Sequence, residues 1–193
     1  MSSLYFKYGQ MNSGKTTALI QAAYNYEERG MTVIVYKPMI DTRETDHPEA
    51  VSRIGLKHPV VLVGAKDNLF GNTVRMNDRS KVHCVLVDEA QFLTRDQVDQ
   101  LTDVVDLLDI PVMCYGLRTD FQGELFPGSH RLLALADKLE EIKTICHCGR
   151  KATMVLRIDD DGVVVRDGAQ VVIGGNDRYV SVCRAHHVTG VYK

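Results

Sequence analysis

No apolar run in this sequence approaches the ~20 residues that cross a bilayer, so no membrane-spanning helix is predicted. The first nine residues, Met1 to Gly9, have no basic segment leading into a long apolar one, and no secretory signal is expected. The cytoplasm is therefore the expected compartment. An excess of one charge is missing too: 23 lysines and arginines stand against 25 aspartates and glutamates, a net charge of −2. Without a cationic surplus the chain cannot hold a nucleic-acid polymer by neutralising its phosphates, so neither such a polymer nor a membrane is expected as a partner. A single nucleotide remains within reach, because its pocket needs only a few cations and oriented amides. Cysteine is scarce and odd in number, five residues at 84, 114, 146, 148 and 183, which excludes a complete disulfide framework. In a reducing compartment, clustered cysteines point to a metal instead.

What is present is ordinary globular material, 45% hydrophobic and 25% charged over 193 residues, enough for one sizeable core. Residues 3–8 and 32–37 read as strands. Between them a helix from Lys15 repeats Ala18, Leu19, Ala22, Ala23 and Tyr26 on one face and stops at Gly30. The stretch 38–59 is polar and reads as loop with a short element. Runs 60–63 and 82–87 are almost wholly apolar, as strands buried on both faces should be. Thr94 with Gln97 forms a capping box before a helix that turns Val98, Leu101, Val105 and Leu108 inward. A strand at 111–115 and a helix at 129–138 follow. Alternating strands and helices predict an α/β fold with a parallel sheet covered by helices. From Cys146 the texture changes to short β-prone runs (152–158, 163–166, 170–173) divided by Asp-Gly and Gly-Gly turns, which suits a small module not held by burial alone.

Gly9-Gln10-Met11-Asn12-Ser13-Gly14-Lys15-Thr16 fits G-x-x-x-x-G-K-[ST] at every fixed position, between a strand and a helix. Glycines let backbone amides turn toward phosphate oxygens, the lysine reaches the β and γ phosphates, and the threonine hydroxyl ligates Mg²⁺. Asp88-Glu89 ends the apolar run Cys84 to Val87, at the strand edge where α/β sheets bind ligands. An Asp there is suited to Mg²⁺ and the adjacent Glu to general-base work. The ATP site is accordingly assigned to Gly9, Gln10, Met11, Asn12, Ser13, Gly14, Lys15 and Thr16 with Asp88, Glu89, Ala90 and Gln91. The nucleophile stays open at this point, water making an ATPase and a substrate hydroxyl making a kinase. Asp88 to Gln91 also resembles a helicase motif, but helicases need two such domains and a basic track.

Cys146, Cys148, Cys183 and His186 form two close pairs that can pinch one ion. Cys₃His is an ordinary structural Zn²⁺ set with no position left for water. His147 and His187 are rival ligands beside it. Cys84 and Cys114 sit inside apolar runs and read as core. The segment between the cysteine pairs is acidic rather than basic, so a flap closing over a small ligand suits it better than a nucleic-acid ribbon, and Gly174-Gly175 leaves backbone free to approach that ligand.

These residues, with Phe92, the run Gly116-Leu117-Arg118-Thr119-Asp120-Phe121, and Val172-Ile173-Gly174-Gly175 running to Tyr179 and Cys183, together resemble the type II thymidine kinases, most closely their enterobacterial and phage branch. The likeness covers essentially the whole chain. It implies a RecA-like P-loop domain at residues 1–145 and a zinc-binding "lasso" domain at 146–193. It implies transfer of the ATP γ-phosphate to the 5′-hydroxyl of thymidine, with deoxyuridine also accepted and Glu89 as the catalytic base. Met11, Phe92, Phe121 and Tyr179 fall on nucleoside-pocket positions, and Gln170, Val171, Val172, Ile173 and Gly174 on the stretch whose backbone reads the base. Asp41 and Arg43 match a loop near the phosphates. The family further implies a homotetramer and feedback inhibition by dTTP. Some members have C-x-x-C at both zinc corners, whereas this chain has C-x-C and C-x-x-H.

Overall fold

The computed structural model describes residues 1–39, 48–171 and 179–193. Six strands, β1 (Leu4–Gly9), β2 (Thr32–Pro38), β5 (Val61–Val63), β6 (Val82–Val87), β7 (Val112–Gly116) and β8 (Lys138–Ile142), form one sheet in the order β5-β2-β6-β7-β1-β8. Every neighbouring pair in it is parallel. This is the α/β arrangement read from the alternation of elements. A hairpin of β3 (Glu49–Val51) and β4 (Lys57–Pro59) occupies the described end of the polar stretch.

Alternating side chains supply two cores, one on each face of the sheet. On β6, Val85 and Val87 enter one cluster while Cys84 and Leu86 enter the other. Helix α1 (Lys15–Glu27) covers the Cys84 side with Leu19, Ile20 and Ala23. The opposite face packs against α2 (Leu69–Arg79), α3 (Arg95–Leu108) and α4 (Pro127–Leu135) through Leu69, Val98, Leu101, Val104, Val105 and Leu132. Both bonds of the Thr94/Gln97 capping box are present at the start of α3.

Two departures from the sequence reading concern elements with weak apolar patterns. Helix α2 was not anticipated: it buries only Leu69 and Thr73 fully, and carries Gly71 and Asn72 near its start. The helix expected over 129–138 ends at Leu135, and Lys138–Ile142 is instead the edge strand β8. Its charged residues suit an edge, where they discourage pairing with other chains.

Beyond β8, β9 (Thr144–Ile145) pairs with β10 (Lys151–Ala152), and β11 (Met154–Ile158) lies between β12 (Val164–Val165) and β13 (Tyr179–Val182). Helix α5 (Arg184–Thr189) closes the chain. Leu156, Ile158 and Val182 point into a third, small cluster that contains Cys146 and Cys183. The run expected at 170–173 falls partly outside the described residues; Gln170 and Val171 are not in a strand.

Candidate active site

The C-terminal ends of β1, β2, β6 and β7 bring the candidate groups to one edge of the sheet. After β1 the chain turns through Gln10 to Gly14 into α1. Gly14 occupies the left-handed region (φ 85°) that a side chain rarely adopts, which lets the loop wrap back on the helix start. The Lys15 ammonium lies on the Gln10 carbonyl oxygen at 2.8 Å. Burial pulls its pKa below the usual lysine value, against the opposing pull of Glu89 and Asp88. A cation held this way gains from any phosphate that replaces the carbonyl.

Asp88, only 2% exposed, directly follows β6. Its Oδ1 accepts from the Thr16 hydroxyl at 3.2 Å, and its Oδ2 lies 3.7 Å from Lys37 Nζ on the adjacent strand. Burial and then the Glu89 charge push its pKa up, while Lys37 and Thr16 oppose them. Two acids and a hydroxyl drawn together under that penalty are suited to a divalent cation. Glu89 itself is strained into the left-handed region (φ 53°), and its Oε2 accepts from Gln91 Nε2 at 2.5 Å. Gln91 is fixed in turn, 1% exposed, with Oε1 accepting from the Leu117 amide at 3.0 Å. Gly116 permits this approach, since a Cβ there would lie 2.7 Å from Gln91 Oε1. A positive φ is uncommon for a residue other than glycine, and such backbone strain clusters at functional sites.

Phe121 follows β7 and is buried, with the Arg157 guanidinium 5.4 Å from its ring centre. Phe92 meets Phe126 edge-on at 5.6 Å. Tyr179 pairs with Arg157 across β13 and β11 and is half-buried, as is Met11. Gln170 Nε2 donates to Asp120 Oδ2 at 2.8 Å, and Arg157 donates to the Ala169 carbonyl at 3.3 Å. Asp120, quoted in the motif but given no role by the sequence reading, also accepts the Gln122 and Glu124 amides at 2.8 and 2.9 Å. An Asp-x-x-Gly turn signal at 120–123 was the available clue. Lys37 was missed as well, because a lysine near a strand end has no pattern to mark it. Asp41, Arg43, Val172, Ile173 and Gly174 lie outside the described residues.

The ligand atoms of Cys146, Cys148, Cys183 and His186 all lie within 4.8 Å of one another. The Cys148 and Cys183 sulfurs are 3.9 Å apart, and Cys146 Sγ is 3.3 Å from His186 Nδ1. A tetrahedral ion with Zn–S bonds of about 2.3 Å separates two sulfurs by roughly 3.8 Å, so this donor set fits zinc. Of the rivals, His187 Nε2 donates to the Phe121 carbonyl at 2.8 Å, whereas His147 stays beside the cluster, with Nδ1 3.5 Å from Cys146 Sγ and its ring stacked on His186 at 4.3 Å. Cys84 and Cys114 are fully buried in the two main cores.

The family model described as thymidine kinase matches residues 2–187. A thymidine kinase of Salmonella paratyphi A is 60% identical over 187 residues, covering 97% of this chain and 91% of its own. Those of Rhodopirellula baltica and Blochmanniella pennsylvanica are 59% and 55% identical, covering 100% and 97% of this chain and 91% and 92% of theirs. The Salmonella match accords with the enterobacterial likeness read from the motifs.

Proposed function

This chain belongs to the thymidine kinase family, and from that premise we propose that it transfers the γ-phosphate of ATP to the 5′-hydroxyl of thymidine, and of deoxyuridine, for nucleotide salvage. The observation that carries the reading is the Glu89 carboxylate, strained and oriented by Gln91, on the same sheet edge as Lys15 of the phosphate loop.

In this reading Gly9 to Thr16, with Asp88 to Gln91, hold ATP. Thr16 and Asp88 would hold Mg²⁺, which supplies charge neutralisation at the phosphates when bound. Glu89 accepts the 5′-hydroxyl proton as that oxygen bonds to the γ-phosphorus. The bond to the β-phosphate bridge breaks, and its electron pair leaves with ADP. Phe121, Met11, Phe92 and Tyr179 enclose the nucleoside, and backbone groups of Gln170 to Gly174 read the base edge. Support for the last point comes from the root of that segment, tied down by Asp120 and Arg157. A base presenting the wrong donors would leave buried peptide groups unpaired at ~1–3 kcal/mol each.

The division of labour is residues 1–145 for ATP and 146–193 for the zinc-held nucleoside flap, with Cys146, Cys148, Cys183 and His186 as zinc ligands. Asp41 and Arg43 belong near the phosphates. A triphosphate carrying thymine can occupy the base and phosphate subsites together, which supports feedback by dTTP. A homotetramer is proposed from the family likeness. Among the described residues no helix is long and apolar enough to cross a membrane, and a cytoplasmic setting goes with the free cysteines.

The test is incubation with Mg-ATP and each deoxynucleoside in turn, reading monophosphate by chromatography. Thymidine and deoxyuridine are expected to be converted and deoxycytidine spared. Conversion of a different nucleoside, with none of thymidine, would overturn the assignment.

A further inference from the structure

We infer that Gln10 and Ser181 form a two-point clasp through which the β11–β13 sheet sets the shape of the phosphate loop, so that nucleoside and ATP binding are coupled. This rests on the nucleoside-kinase reading above.

The fixed positions of the phosphate-loop pattern are its glycines, lysine and threonine; Gln10 stands at a free one, so cradling phosphate does not require it. It is nevertheless 6% exposed. Its side-chain Nε2 donates to the Thr153 carbonyl at 2.7 Å, across 143 positions of sequence. The next residue is held as well: the Ser181 hydroxyl donates to the Met11 carbonyl at 2.7 Å, across 170 positions. Both bonds end on one sheet, because the Thr153 amide donates to the Val182 carbonyl of β13 at 3.0 Å.

On the loop side, Gln10 is the anchor of the catalytic lysine. Its backbone carbonyl accepts from Lys15 Nζ at 2.8 Å and from the Ser13 amide at 3.2 Å. A shift of Gln10 therefore moves the acceptor that Lys15 must leave when phosphate arrives. On the other side, strand periodicity sets what β13 presents. Tyr179 and Ser181 are two apart and share a face, as do their partners Arg157 and Val155 on β11. Leu156 and Val182 alternate with them and fill the small core. The face bearing Ser181 thus also bears Tyr179, and Arg157 on it covers Phe121. A nucleoside that settles Tyr179 and Phe121 settles Ser181, and with it Met11 and Gln10. The Gln10 amide can adopt one orientation here, since a flipped amide would set two carbonyl oxygens face to face. These two are positioning residues; neither needs to touch a reacting atom.

The experiment is calorimetric titration of the full chain with Mg²⁺ and a non-hydrolysable ATP analogue, with and without saturating thymidine. In the unaltered protein the analogue is expected to bind about five- to tenfold more tightly when thymidine is present. In Ser181→Ala the ratio should fall, and in Gln10→Ala/Ser181→Ala it should approach one, whatever happens to either affinity alone. Ser181→Thr keeps the hydroxyl and should keep the ratio; Gln10→Glu sets a carboxylate against the Thr153 carbonyl and should lose it. An unchanged ratio in the double variant overturns the inference. So does an unaltered protein that binds both ligands without coupling, and that result leaves the kinase reading standing. An unaltered protein that binds the analogue but no thymidine overturns both.

Discussion

Among the described residues of the α/β region, nineteen buried residues fill one face of the sheet and nine the other, whereas from Cys146 onward the small cluster has six, two of them cysteines of the candidate metal set. The first region can be held by burial: strands such as β6, apolar on both faces, are the signature of a self-sufficient core. In the second, the buried apolar side chains among the described residues are, besides its two cysteines, Ala152, Val155, Leu156, Ile158 and Val182, so burial contributes much less there. The metal proposed to tie Cys146 and Cys148 to Cys183 and His186 would supply what burial lacks. The phosphate chemistry proposed above falls on the first region, at the ends of buried strands. The groups expected around the nucleoside fall partly on the second region, which carries the candidate metal set.

Changing one region and reading the other tests this contrast. The largest effect is expected from Glu89→Gln, which keeps the shape of the proposed base and removes its proton affinity. Its kcat should fall by about 10²–10⁴ while the KM for thymidine stays within a few-fold, measured by steady-state kinetics. Near-normal turnover would take Glu89 out of the base role. A smaller effect, on the other side of the molecule, is expected from Gln170→Ala. Losing the bond to Asp120 frees the root of the segment expected to read the base. The KM for thymidine should rise up to about tenfold, with kcat and the KM for ATP within about twofold. A fall in kcat instead would mean that Asp120 and Gln170 serve the phosphate side.

Which features were legible in the sequence follows from the range over which they are encoded. The phosphate loop, the capping box and the acids closing β6 are written in consecutive residues, and their local geometry follows from those residues alone. Helix α2 and strand β8 were illegible or misread because α2 is sparsely apolar and β8 is charged at the sheet edge. The bonds of Gln10 to Thr153, Ser181 to Met11 and Gln170 to Asp120 join residues 143, 170 and 50 positions apart. No periodicity or motif specifies such pairs; they exist only once the small sheet has docked. Likewise the sequence left three histidines competing for one metal position, and it took the bond of His187 to the Phe121 carbonyl to separate one of them.

The division between a burial-held ATP region and a metal-held nucleoside region is tested most directly by Cys183→Ala, with elemental analysis followed by calorimetric binding of each ligand. The unaltered chain should carry about one zinc and the variant essentially none. The account predicts that the variant still binds the ATP analogue within about tenfold of the unaltered protein while thymidine binding is lost. Thymidine bound at full strength by the metal-free chain, or both ligands lost together, would contradict it.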